Sequence, residues 1–277
     1  ALVGPVQESG ALEAVSDLYL VPHDSLNYLP FALLPSGPDG DRLLVQDFTI
    51  TYLPTAAALM EIPIGGTAKQ SLLAMAPARS GLRYAEREAA AVFELFQSDS
   101  RLLVGEAATE SIFKQQAGDF DVLHLATHGY FNNRNPLLSG LVLEPDVSND
   151  GRLEVHEILG LPLQASLVTL SACSTGLGSG YFNALPAGDE FVGLTRAFLL
   201  AGSQSVLSTL WEVDDRSTVE LMHGFYGREK TGRAANPAQS LADIQRGLRS
   251  TSEFSHPFHW APFVLVGHQG QRPGTRT

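Results

Sequence analysis

An α/β fold, with a mostly parallel sheet flanked by helices on both faces, is the architecture this sequence predicts. Three observations lead there. From residue 71 onward, short apolar runs alternate with stretches of helical period, the signature of strands joined by crossover helices. Several of the runs, such as Leu72-Leu73-Ala74-Met75-Ala76, read as buried strands, which is how parallel sheets covered on both sides look. A chain of 277 residues is also long enough to bury a substantial core, in one large domain or two small ones.

The first seventy residues differ. Leu18–Val21, Tyr28–Leu34 and Phe48–Leu53 are β-rich and are punctuated by Pro and Gly, as in Pro35-Ser36-Gly37-Pro38-Asp39-Gly40. They read as a β-hairpin subdomain at the edge of the main sheet. After the strand at 71–76, Tyr84–Phe96 is helical, with Ala85, Ala89, Val92, Phe93 and Phe96 along one stripe. A strand, a helix and a strand follow near 101–104, 107–117 and 121–126. Gly140–Glu144 is another strand, and Asn149-Asp150-Gly151 is a turn. A short helix near 154–159 leads into the apolar run Ser166–Cys173. Asp189–Ala201 is helical, and Gly202 is a plausible stop. Ser205–Trp211 is a strand, helices follow near 216–227 and 237–249, and Ala261–Val266 closes the sheet. The second of those helices opens Asn236-Pro237, a good N-cap with proline at the first helical position. The expected organisation is therefore an edge subdomain at 1–70, a core at 71–268 and a frayed polar tail at 269–277.

Composition narrows the function. Thirty acidic against eighteen basic residues leave a net charge of −12. That disfavours nucleic acid and membrane surfaces as partners, because both need a basic footprint. It suits a site that receives a basic substrate, although acidity also simply serves solubility. The single cysteine rules out an internal disulfide and any multi-cysteine zinc site, and a reducing, cytoplasmic setting fits best. No apolar stretch approaches the roughly 18 residues that span a bilayer. The start, Ala1-Leu2-Val3-Gly4, lacks an initiator Met and a basic leader, so a piece of a longer chain without a signal peptide is expected.

Two apolar runs end in reactive residues. Asp121–Thr127 ends in His128-Gly129, and Ser166–Ala172 ends in Cys173, followed by the glycine-rich loop Ser174–Gly180. In parallel sheets ligands bind outside the carboxyl ends of the strands, and both residues fall there. A thiol attacks a carbonyl as thiolate, and an imidazole within hydrogen-bond reach makes thiolate available near neutral pH. The same His128 could protonate a leaving amine. Gly129 lets backbone come close to a substrate and could donate its N–H to the oxyanion, together with the amide of Cys173. A lone cysteine or histidine at a strand end also fits a plain structural role.

Other sites fit worse. Gly176-Leu177-Gly178-Ser179-Gly180 matches neither dinucleotide nor Walker loops, no G-x-S-x-G elbow occurs, and no H-E-x-x-H occurs. No metal and no cofactor are expected. His223, His256 and His259 read as structural or surface residues, and Glu86-Arg87-Glu88 reads as a solvated helix face.

At these residues the chain resembles the CHAT-domain family, caspase-like and separase-related cysteine peptidases often joined to tetratricopeptide repeats. Asp121–Gly129 resembles the family's histidine motif and Leu170–Gly178 its cysteine motif. Further matches are Leu26–Phe31, Asn135–Leu141, Gly188–Leu194, Ser208–Asp215 and His256–Phe263. The resemblance covers nearly the whole chain. It implies a caspase–hemoglobinase-like core with His128 and Cys173 as catalytic dyad, and a repeat domain or regulatory protein as partner. Ser174 stands where many relatives carry Glu. The resemblance to separases, which prefer Arg at P1, makes Asp215, with Asp214, the candidate for binding a basic P1 side chain. The alternative is that these two acids cap the helix that follows. Glu190 and Asp189 are weaker pocket candidates, at a helix start that attracts acids anyway. The expected function is a cysteine endopeptidase acting on proteins. The alternative is a catalytically silent peptide- or protein-binding module on the same fold. Family context suggests latency until the Phe131–Pro136 and Ser174–Pro186 loops rearrange.

Overall fold

The computed structural model describes residues 2–37, 40–62, 71–96, 99–132, 134–171, 189–231, 236–251 and 253–268. The segment opens with a one-turn helix α1 (Gly4–Glu8) and strand β1 (Asp17–Leu20). A small hairpin, β2 (Pro35–Ser36) with β3 (Arg42–Leu43), precedes α2 (Leu44–Asp47), strand β4 (Thr49–Tyr52) and α3 (Ala58–Glu61). Tyr28–Leu34, which reads as a strand, instead forms 3₁₀ turns at Asp24–Tyr28 and Phe31–Leu33. Pro30 lies within it and Pro35 directly follows it, and each removes a ladder donor.

The alternation beyond residue 71 holds. Strand β5 (Leu72–Ala76) leads to α4 (Ala85–Glu94), β6 (Arg101–Val104), α5 (Glu110–Gln116) and β7 (Val122–Ala126). Three short strands come next: β8 (Gly129–Tyr130), β9 (Gly140–Val142) and β10 (Arg152–Glu154). Helix α6 (Val155–Ile158) then feeds β11 (Leu167–Ser171), α7 (Asp189–Leu200), β12 (Ser205–Thr209), α8 (Asp215–Thr231), α9 (Pro237–Arg249) and β13 (Phe263–Gly267).

Eight strands form one sheet in the order β1-β4-β13-β12-β11-β7-β5-β6. The block β12-β11-β7-β5-β6 is parallel throughout. β13 pairs antiparallel with β12, while β4 and β1 run parallel to β13. The N-terminal strands therefore extend the main sheet, and β2–β3 is the hairpin beside it.

Residue alternation sends each strand's side chains to two cores. Leu73, Met75, Leu123, Leu125, Val168 and Leu170 pack with Phe113 of α5, Ile158 of α6 and Phe198 of α7. Leu72, Ala74, Ala126, Leu167 and Leu207 pack with α4, α8 and α9 through Val92, Phe225 and Leu241. Helix α9 starts where the sequence predicts: the Asn236 side chain accepts the Gln239 N–H at 2.9 Å. Gly224 of α8 permits the close crossing with α9, because a Cβ there would lie 2.4 Å from Ile244 Cδ1.

Candidate active site

Parallel β7, β11 and β12 point their carboxyl ends to one edge of the sheet, in adjacent order. That edge follows directly from three apolar strand runs, each buried along most of its length. His128 stands two residues beyond Ala126, the end of β7, and is half-buried. Its Nδ1 is buried and has no hydrogen-bond partner among the described residues. The backbone around it is pinned on both sides. The Thr127 N–H donates to the Ser171 carbonyl at 3.2 Å, and the Val142 N–H donates to the His128 carbonyl at 2.9 Å. The Thr127 hydroxyl donates to the Val142 carbonyl.

Gly129 is buried and opens β8, opposite Leu141 of β9. The three-stranded flap β8-β9-β10 thus begins at the residue after the histidine. The flap depends on Gly140, where a Cβ would lie 2.3 Å from the Leu153 carbonyl oxygen. Beyond Tyr130 the chain turns through side-chain-to-backbone bonds. Asn132 Oδ1 accepts the N–H groups of Arg134 and Asn135, and Ser139 Oγ accepts the Asn132 N–H. Those bonds brace the loop after the histidine. Tyr130 packs under the Arg152 guanidinium, 5.6 Å from the ring centre. Burial, with Glu154 beside it, pushes the Tyr130 hydroxyl well above its ordinary pKa.

Cys173, its amide and the Ser174–Pro186 loop lie outside the described residues. Strand β11 is described to Ser171, and its register with β7 pairs Thr169 with His124 and Ser171 with Ala126.

The acidic segment follows β12, on the far side of β11 from β7. Asp214 is exposed, and its Oδ1 accepts the N–H groups of Arg216 and Ser217 at 3.1 and 3.2 Å. It therefore caps α8, as one of the two sequence readings has it. Asp215 is the first residue of α8, and Asp189 and Glu190 are the first two of α7. Their side chains lie outside the description. The segment is tied to the turn before β13. The Trp211 indole N–H donates to the Phe258 carbonyl at 3.3 Å, and His259 Nδ1 lies 3.1 Å from Ser217 Oγ. His259 is thus a brace for the start of α8, while His223 and His256 are exposed.

One sequence expectation is corrected. Glu86 and Arg87 are exposed, but Glu88 is buried, with its Oε1 3.1 Å from Nε2 of the buried His124. Ala85, Glu88, Ala89 and Val92 fall at i, i+3, i+4 and i+7, so helical spacing alone puts Glu88 on the inner stripe of α4. Among the described residues no cluster of three or more His, Cys, Asp or Glu could hold a metal ion, and no helix is long and apolar enough to cross a membrane.

Comparison with known proteins identifies the family and the fold. The family model described as "CHAT domain" matches residues 1–268. Tetratricopeptide repeat protein 28 of mouse and of human are each 27% identical over 322 residues, covering 95% of this chain and 12% of each relative. The chain therefore corresponds to about an eighth of those relatives. Among solved structures, the Saccharomyces cerevisiae separase–securin complex superimposes with a TM-score of 0.54 at 15% identity, over 80% of this chain and 14% of that one. The Arg-specific cysteine proteinase gingipain R superimposes with a TM-score of 0.55 at 9% identity, over 96% of this chain and 66% of that one. The complex of Porphyromonas gingivalis gingipain pro- and mature domains gives 0.59 at 10% identity, over 97% and 68%. At such identities the likeness is one of fold: the mostly parallel, helix-flanked sheet of caspase-like cysteine peptidases.

Proposed function

The chain belongs to the CHAT-domain family, and from that premise we propose that it is a cysteine endopeptidase working through a Cys173–His128 dyad. The strand register carries the proposal. Ser171 and Ala126 are parallel neighbours at the carboxyl ends of β11 and β7, and Cys173 and His128 each follow two residues later in the sequence. The two segments that carry imidazole and thiol therefore leave the same edge of the sheet from adjacent strands, where ligands of parallel sheets bind. His128 takes the thiol proton, the thiolate attacks the scissile carbonyl, and His128 then protonates the departing amine. Gly129 and the Cys173 amide are the proposed oxyanion donors.

The acids after β12 supply the proposed specificity. Asp214 already serves two backbone N–H groups, which leaves Asp215 as the better candidate for a Lys or Arg side chain at P1. A carboxylate in a partly desolvated pocket favours such a cation through charge-assisted bonds. One fold neighbour is an Arg-specific proteinase, which agrees with that assignment. An upstream repeat domain or a partner protein is the proposed regulator, because the curated relatives are tetratricopeptide repeat proteins. The proposed compartment is the cytoplasm, where a lone thiol stays reduced.

The sole cysteine makes the test direct. Iodoacetamide labelling of Cys173, read by mass spectrometry, should be fast and pH-dependent, and roughly a hundredfold slower in His128→Ala. Cleavage of a P1 Lys/Arg peptide panel should vanish in Cys173→Ala with folding retained. Slow labelling that ignores His128→Ala would instead favour the silent binding module, and a preference for Asp at P1 would overturn the acidic pocket.

A further inference from the structure

Beneath the proposed dyad lies a set of buried polar side chains that the chemistry above does not use. Strands β7 and β11 present His124 and Thr169 as in-register neighbours, and both are fully buried. Tyr226 of α8 brings its hydroxyl to both strands at once, 2.6 Å from Thr169 Oγ1 and 3.2 Å from His124 Nδ1. On the other side of the imidazole, Glu88 of α4 sits 3.1 Å from Nε2. That contact is off the hydrogen-bond direction for both atoms, so it is an electrostatic contact between carboxyl and ring.

The polarity is consistent around the set. The Tyr226 hydroxyl can donate to one of His124 Nδ1 and Thr169 Oγ1 and accept from the other, so both bonds are satisfied with the ring proton on either nitrogen. The phenol ring is held edge-on by Phe96, Phe225 and His124, with centroids 5.7, 5.1 and 5.7 Å away. Burying four polar groups is costly, and apolar residues of similar size would pack there at lower cost. Stability alone is therefore a poor reason for this set.

We propose that the Glu88–His124–Tyr226–Thr169 cluster is a clasp that fixes the lateral spacing of β7 and β11, so that its members are positioning residues for the thiol and imidazole beyond. The inference rests on the dyad reading above. His128 and Cys173 each lie four residues further along the chain from the clasped pair. Parallel strands of this length are stiff, and thiolate formation depends steeply on the sulfur–imidazole distance. A hydroxyl bonded to both strands removes the sideways freedom that backbone ladder bonds leave.

The test uses labelling of Cys173 by iodoacetamide across a pH series, at a temperature where circular dichroism shows each variant folded. Thr169→Val keeps shape and deletes the hydroxyl, Tyr226→Phe deletes the phenol oxygen, and Thr169→Ser restores the hydroxyl. Thr169→Val and Tyr226→Phe should each slow labelling about tenfold and shift the pH profile toward that of His128→Ala. Thr169→Ser should stay within about twofold of the parent. Unchanged labelling in folded Thr169→Val and Tyr226→Phe, with His128→Ala still slow, overturns the clasp and leaves the dyad standing. Labelling that ignores His128→Ala as well overturns both. Should Thr169→Val not fold, Tyr226→Phe and Thr169→Ser decide the question.

Discussion

The same two strands show opposite faces. Toward α5 and α7, β7 and β11 offer Leu123, Leu125, Val168 and Leu170, an apolar surface without a polar atom. Toward α4 and α8 they offer His124 and Thr169, flanked by Val122, Ala126 and Leu167. Apart from the half-buried Val122, the residues of both faces are buried. Sealing an apolar face needs only shape, because burial itself supplies the free energy. The polar face is held instead by the Tyr226 hydroxyl bonded to both strands, and such directional bonds fix positions more tightly than packing does. One face holds the sheet together, and the other specifies how its two central strands sit.

The largest effect expected belongs to the apolar face. Leu125→Ala should cost about 3 kcal/mol of stability, read by urea denaturation. Cys173 labelling in the folded fraction should stay near the parent rate. Slowing as strong as in Tyr226→Phe would erase the contrast between the faces.

A smaller loss is expected from the polar face. His124→Leu should cost about 2 kcal/mol, because it strands the Glu88 carboxyl in a dry site. Adding Glu88→Leu should return part of that loss, since the double variant leaves no buried carboxyl behind. Additive losses would mean that Glu88 and His124 do not sense each other across their 3.1 Å.

The two faces were unequally legible in the sequence. Apolar runs mark β5, β7, β11, β12 and β13 and helical spacing marks α4, because periodicity reports burial directly, while the Asn236-Pro237 cap marks the start of α9. Pairing between distant segments leaves no such mark. The sequence separates the first seventy residues into an edge subdomain, whereas β4 joins β13 through Tyr52 opposite Val266, more than two hundred residues apart. The register that sets Ser171 beside Ala126 comes from the sheet alone. Glu88 reads as solvated beside the exposed Glu86 and Arg87, although helical spacing sets it on the apolar stripe of α4. His124 lay in plain view inside the histidine motif, but a polar residue in an apolar run does not say what meets it. Tyr226, a hundred residues away, is that partner.

The smallest effect tests where the polar face reaches the substrate. Tyr226 sits on α8, so the helix that clasps β7 and β11 is also the helix that Asp214 caps and Asp215 begins. If capping is the whole role of Asp214, Asp214→Ala should lower stability by about 1 kcal/mol and leave the KM for a P1 Arg peptide unchanged. Asn236→Ala, which removes the matching cap of α9, should cost a similar amount and serves as the internal control. Asp215→Ala should do the reverse, with stability nearly intact and KM for the Arg peptide raised about tenfold through loss of a charge-assisted contact. A KM rise in Asp214→Ala instead would move the cation-binding role one residue back, onto the carboxylate whose Oδ1 already holds the Arg216 and Ser217 amides. In that case helix capping and P1 recognition would be two uses of one side chain.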